Sequence, residues 1–189
     1  MSIGHPGFAD PVHDSQACFR AVLDALARPG TIHTLHAPAD PPPPLDRATA
    51  AVLLTLADID TPLWLDAAAE PAAPWIAFHC GAPRAALPKS AFAVALQPVP
   101  LDHLPPGTDD APEDGATLIL QVAALGQGRP LRLTGPGLQH PRTLAVDGLG
   151  AAFVAEWAAN AARFPRGIDL ILCTGDHMAA LPRTLRIEG

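Results

Sequence analysis

At 189 residues and 49% hydrophobic content, the chain has material for one substantial core, and no shift in composition marks a second, so residues 1–189 read as one domain. A net charge of −7 argues against a sequence-independent nucleic-acid surface, and no apolar run approaches the ~20 residues of a membrane-spanning helix. With no secretory leader pattern and three widely spaced cysteines, Cys18, Cys80 and Cys173, that suggest neither a disulfide framework nor a CxxC metal knuckle, a cytoplasmic protein is expected.

Asp14 is placed to cap a first helix through Gln16 to Arg28, with Phe19, Val22, Leu23 and Leu26 as its apolar stripe. Pro29-Gly30 stops it, and Thr31 to His36 reads as a strand that Pro38 ends. Pro41 to Pro44 favour a stiff, exposed connector. A second helix is expected over Asp46 to Ala57, with Thr49, Val52, Leu53 and Leu56 on one face. The turn at Asp58 to Pro62 then leads to the strand Leu63-Trp64-Leu65. A third helix fits Ala73 to Cys80 and ends at Gly81, and Phe92 to Leu96 forms a small-residue strand. The Pro/Asp-rich stretch Gln97 to Asp114 reads as a surface excursion.

Leu118, Ile119, Leu120 and Val122 predict a central strand buried on both faces, and Leu131 to Leu133 resumes the pattern as the second arm of a hairpin in the same sheet. The hairpin opens into Thr134-Gly135-Pro136-Gly137, a loop whose glycines allow a close approach of backbone to ligand. Gly150 to Phe164 is expected as a helix with Phe153, Val154, Trp157 and Ala161 inward, and Ile168 to Cys173 as a strand. After the turn Thr174-Gly175-Asp176, Ala179 to Ile187 returns as a strand interrupted by Pro182. The alternation predicts an α/β fold, a mixed sheet with helices on both faces in a three-layer arrangement.

No GxGxxG, GxSxG or HExxH pattern is present, and Pro88 stands where a phosphate loop ending in Lys89-Ser90 would need glycine. His33 and His36 fall on opposite faces of a strand, His13, His103 and His140 lack paired ligand spacing, and His79 and Cys80 diverge by about 100° on a helix, so no metal centre or thiol–imidazole pair is expected. Asx-turn bonding accounts for Asp58 and Asp60. Arginine supplies 11 of the 12 cations, and its planar fork suits phosphate and carboxylate. Arg20 and Arg28 share a face of the first helix, Arg132 adjoins the glycine loop and Arg183 lies in the last strand. Converged, they could hold a polyphosphate; apart, each pairs with an acid or lies at the surface.

FADPVHDSQACFRAVLDALARPGTI near the N-terminus, followed in order by VLLTLADIDTPLWL, GATLILQVAALGQGRPLRLTGPG, FPRGIDLILC and ALPRTLRI, resembles the PhnH family, the H component of the bacterial carbon–phosphorus lyase system. The likeness covers most of Phe8 to Ile187. It departs at Pro41 to Pro44, at Gln97 to Asp114 and at Leu185, where the family often carries threonine.

The resemblance implies a part in phosphonate use, in which a phosphonate displaces adenine from ATP to give a ribose 1-phosphonate 5-triphosphate. It implies partners in the G, I and J components, with the displacement credited to I, a homodimer, and a fold like the pyridoxal-phosphate transferases without the cofactor. Two roles follow. The chain is either a non-catalytic subunit that builds the assembly, or a substrate-handling one in which Arg20, Arg28, Arg132, Thr134, Gly135, Gly137 and Arg183 grip the triphosphate or phosphonate. An independent pyridoxal enzyme is a distant third, since only Lys89 is available for a Schiff base.

Overall fold

The structure, a computed structural model, describes residues 4–36 and 40–188; Pro38, expected to end the first strand, lies outside them. Its helices are α1 (Pro11–Ala27), α2 (Arg47–Leu56), α3 (Ala73–Cys80) and α4 (Phe153–Ala161). Its strands are β1 (His33–Thr34), β2 (Leu63–Leu65), β3 (Phe92–Ala95), β4 (Thr117–Gln121), β5 (Ala124–Thr134), β6 (Arg142–Asp147), β7 (Asp169–Thr174), β8 (His177–Leu181) and β9 (Arg186–Glu188). Six strands form one mixed sheet in the order β1-β8-β7-β4-β3-β2, and three form an antiparallel sheet in the order β6-β5-β9.

Strands β2, β3, β4 and β7 run parallel, with β2 at the edge of the large sheet, and their continuous apolar sequences follow from burial on both faces. Alternate residues feed two cores. Val94, Ile119, Ile171 and Cys173 face α1, α2 and α3. Ala93, Leu118, Leu120, Leu170 and Leu172 face α4 and the inner side of the small sheet, where they meet Trp157, Leu131, Leu133, Leu144 and Ile187. One face is thus covered by helices. The other is covered by one helix and a second sheet, where helices alone were expected.

The second sheet exists because β4 has no free edge. With β3 on one side and β7 on the other, it cannot pair with the chain that follows it, so β5 leaves to pair with β6 and β9 instead of completing a hairpin with β4. Pro182 similarly divides the expected last strand in two. The first half, β8, joins the large sheet through the turn at Gly175, and the second half, β9, joins the small one.

Helix α1 starts earlier than expected. Asp10 is its N-cap, accepting from the His13 N–H at 3.1 Å, while Asp14 lies inside the first turn and accepts from the Asp10 N–H at 2.9 Å. The helix is also rotated: Asp14, Cys18, Val22 and Ala25 are buried, whereas Phe19 and Leu23 remain 46% and 49% exposed. Small side chains on the inner face let α1 lie close to α2, and that contact, not residue size, sets its orientation.

Two segments expected at the surface are partly interior. Pro42 and Leu45 are buried, and the Pro44 carbonyl accepts from Gln121 Nε2 at 3.1 Å, which ties the proline run to the end of β4. Within the excursion, Leu101 and Leu104 are buried in the second core.

Candidate functional site

In an α/β sheet, ligands usually bind beyond the carboxyl ends of the parallel strands. Here those ends are already occupied by the protein's own polar groups. After β2, the buried Asp66 carboxylate accepts from the N–H groups of Ala69 and Leu96, both at 2.7 Å, and of Gln97 at 3.3 Å. At the end of β4, Gln121 Oε1 accepts from the Asp46 N–H at 2.8 Å and from the Thr49 hydroxyl at 3.0 Å. The Asp46 carboxylate in turn accepts from the Gly175 N–H at 2.9 Å. These groups are satisfied within the fold.

A more open cavity of about 550 Å³ lies where the Thr134-Gly135-Pro136 loop and β9 approach the C-terminal end of α4. Thr134 pairs directly with Arg186 across the β5–β9 ladder, which projects both from one face, and Thr184 completes the polar side. Ala161 and the 64% exposed Phe164 form the opposite, apolar side. A second hollow of about 430 Å³ shares Ala161 and Arg186 and extends the groove along α4.

The expected arginines do not gather there as free cations. Arg28 pairs with Asp24 at 2.7 Å and Arg132 with Glu188 at 2.6 Å. Arg183 is mostly buried: its Nη2 and Nε donate to Asp169 at 2.7 and 3.2 Å and its Nη1 to the Pro112 carbonyl, so it clamps the end of the excursion to β7. Arg20 is exposed on α1 without an ion pair among the described residues. Gly137, at φ +83°, is pressed against the Ala27 carbonyl at the end of α1 and is a packing position. Of the expected set, Thr134 and Gly135 line the groove; its cation is Arg186, which sequence reasoning missed. The missing signal was the alternation of Arg186, Ile187 and Glu188, which places Arg186 on the same face as Thr134 only once the β5–β9 register is known.

A family model described as bacterial phosphonate metabolism protein (PhnH) matches residues 6–188. The chain belongs to the PhnH family. It is 45% identical over 187 residues, 96% of this chain and 94% of the relative, to the alpha-D-ribose 1-methylphosphonate 5-triphosphate synthase subunit PhnH of Rhizobium meliloti (strain 1021). It is also 34% identical over 180 residues, 92% of this chain and 85% of the relative, to the putative C-P lyase subunit protein HtxG of Stutzerimonas stutzeri.

In this PhnH-family chain the remaining reactive side chains are held in structural settings. The thiols are buried, and desolvation pushes Cys80 up to about 11 and raises Cys18 and Cys173, so none is a ready nucleophile. Asp58 accepts from the Thr61 hydroxyl at 2.6 Å and the Asp60 N–H at 3.0 Å, the turn bonding expected of it, and these bonds lower its pKa. His33 lies 3.5 Å from Asp24 and His36 lies 3.2 Å from Asp14, two separate pairings. Among the described residues no three ligand-type side chains form a metal-sized group, and no helix is long and apolar enough to cross a membrane. Lys89 does not fit a pyridoxal site: its cleft is shared with Glu113 and Asp114, whose carboxylates oppose the phosphate such a cofactor carries.

Proposed function

We propose that this chain is a subunit of a carbon–phosphorus lyase core assembly. It supports the formation of a ribose 1-phosphonate 5-triphosphate from ATP and an alkylphosphonate with release of adenine, and acts in complex and not alone. The observation that carries this reading is the 45% identity, over nearly the full length of both chains, to a relative named as a subunit of that synthase. The internal engagement of Asp66, Asp169, Gln121 and the thiols supports a role in building the assembly over a reactive centre within this chain.

Under this reading the protein is a single cytoplasmic domain that forms a homodimer and meets G, I and J components. Its two-faced sheet is a three-layer relative of the pyridoxal-phosphate transferase fold without the cofactor. Phe19 and Leu23, four apart on α1, together with Ile32, Ile59 and Phe78, are large apolar side chains left in solvent and suit such contacts. Direct substrate handling is the second reading. Thr134 and Gly135 in an open groove favour it; the carboxylate partners of Arg28, Arg132 and Arg183 weigh against those three as phosphate ligands.

The test is adenine release from ATP and methylphosphonate by the chain alone, by the G, I and J components alone, and by the reconstituted set. Release only from the full set is expected. Equal release without this chain would remove it from the reaction, and release by the chain alone would make it the catalyst.

A further inference from the structure

We propose that the groove between α4 and β9 binds a small organic anion with a single tetrahedral phosphonate or phosphate head and an apolar body. The groove and its charge stand on geometry alone; the choice of a phosphonate as its physiological occupant rests on the function proposed above.

The head is assigned by Arg186. Its guanidinium has no hydrogen bond or ion pair among the described residues, although the neighbouring pair in the ladder, Arg132 and Glu188, is joined at 2.6 Å. That pairing engages the nearest carboxylate on β9 and leaves the Arg186 fork free for oxygen acceptors. Thr134 and Thr184 line the same cavity, and each carries a hydroxyl able to donate to such a head. One unpaired arginine with hydroxyl donors beside it suits a single phosphonate or phosphate head, whereas a triphosphate needs several cations, and Arg132 and Arg183 are already paired with carboxylates.

The body is assigned by the other wall. Pro136, Ala161 and Phe164 present apolar surface, and an aromatic ring 64% exposed beside a cavity is an available stacking platform. A volume of about 550 Å³ falls within the range of small-molecule sites. The helix end fixes the orientation. Ala161 is the last residue of α4, whose C-terminal end carries the negative pole of the helix, and the Ala162, Arg163 and Phe164 N–H groups there already donate to the Ala158, Asn160 and Ala161 carbonyls, so the head is directed to Arg186 and the body to the helix side.

The experiment is an amide NMR titration of the full chain with phenylphosphonate, phenyl phosphate, methylphosphonate and inorganic phosphate. Phenylphosphonate is expected to shift the Thr134, Gly135 and Thr184 resonances. Arg186→Gln should weaken its binding by about tenfold or more, the loss of a charge-assisted contact. Phe164→Ala should weaken phenylphosphonate but not methylphosphonate, and Thr134→Val is a second variant within the fold. Lys89→Gln, an equal change of charge in a different cleft, should bind as the parent does. Equal affinities for phenylphosphonate and phenyl phosphate support the general class, and a preference for the former supports the phosphonate.

Absence of shifts at those three residues, or unchanged binding in Arg186→Gln, overturns the site. Two further outcomes separate it from the function. If Arg186→Gln loses the probe while reconstituted adenine release is unchanged, the site stands and its assignment to the assembly's phosphonate falls. If release never needs this chain while the probe still binds, the subunit reading falls and the groove stands.

Discussion

Arg183 and Arg186 are three residues apart and have opposite fates. Arg183 is drawn inward by Asp169 and the Pro112 carbonyl and works as a clamp; Arg186 is left in solvent with its charge available. Replacing Arg183 by Gln leaves a half-buried carboxylate without its partner and should lower stability by about 2–4 kcal/mol, read from urea denaturation. The thiols add a pH term. Burial raises Cys80 from 9.0 to about 11, so the folded state holds a proton that the unfolded chain releases. The stabilisation is therefore intact below about pH 9 and is lost as pH rises toward 11. A Cys80→Ala variant should show a flatter fall in denaturation midpoint over that window. An equal slope in parent and variant would contradict the raised pKa.

Helix α1 shows how an element can be recognised and still be turned the wrong way. The spacing of Phe19, Val22, Leu23 and Leu26 marks a helix correctly, but Cys18, Val22 and Ala25 describe an equally regular stripe, and the two differ by a modest rotation. Sequence periodicity weights the larger side chains, whereas packing against α2 selects the smaller ones. Val22→Ala should then cost about 2 kcal/mol or more, while Phe19→Ser and Leu23→Ser should change stability by about 0.5 kcal/mol or less. Thermal melts of the three variants test the rotation directly. Comparable losses at Phe19 and Val22 would return the larger residues to the core. The strands carry the same lesson: β4 is legible as a buried strand because it is apolar throughout, but whether β5 pairs with it depends on which edges β3 and β7 have already taken.

The molecule has two cores on opposite faces of one sheet, and the same strands build both, since Ile119 faces one and Leu118 and Leu120 the other. Neither core can come apart without unpairing strands that the other needs. Leu53→Ala in the first core and Leu133→Ala in the second should each lower stability by about 2–5 kcal/mol while preserving a single transition. A two-step melt in either variant would mean that the faces unfold independently.

The family could be read from ordered segments spread over most of the chain, and the central elements from apolar runs, turn residues and prolines, because these signals are local in the sequence. β6 and the exchange of partners that makes the small sheet were not legible, since no short window states which strand edges remain free. The groove shows the same division. Thr134 and Gly135 stand out as a loop following a strand, whereas Arg186 becomes its cation only through a cross-strand register with Thr134, 52 positions earlier. Local composition and periodicity decide which segments are strand or helix. Which charged groups stay free is decided by tertiary pairing, because a cation's availability depends on the carboxylates that the fold brings within reach.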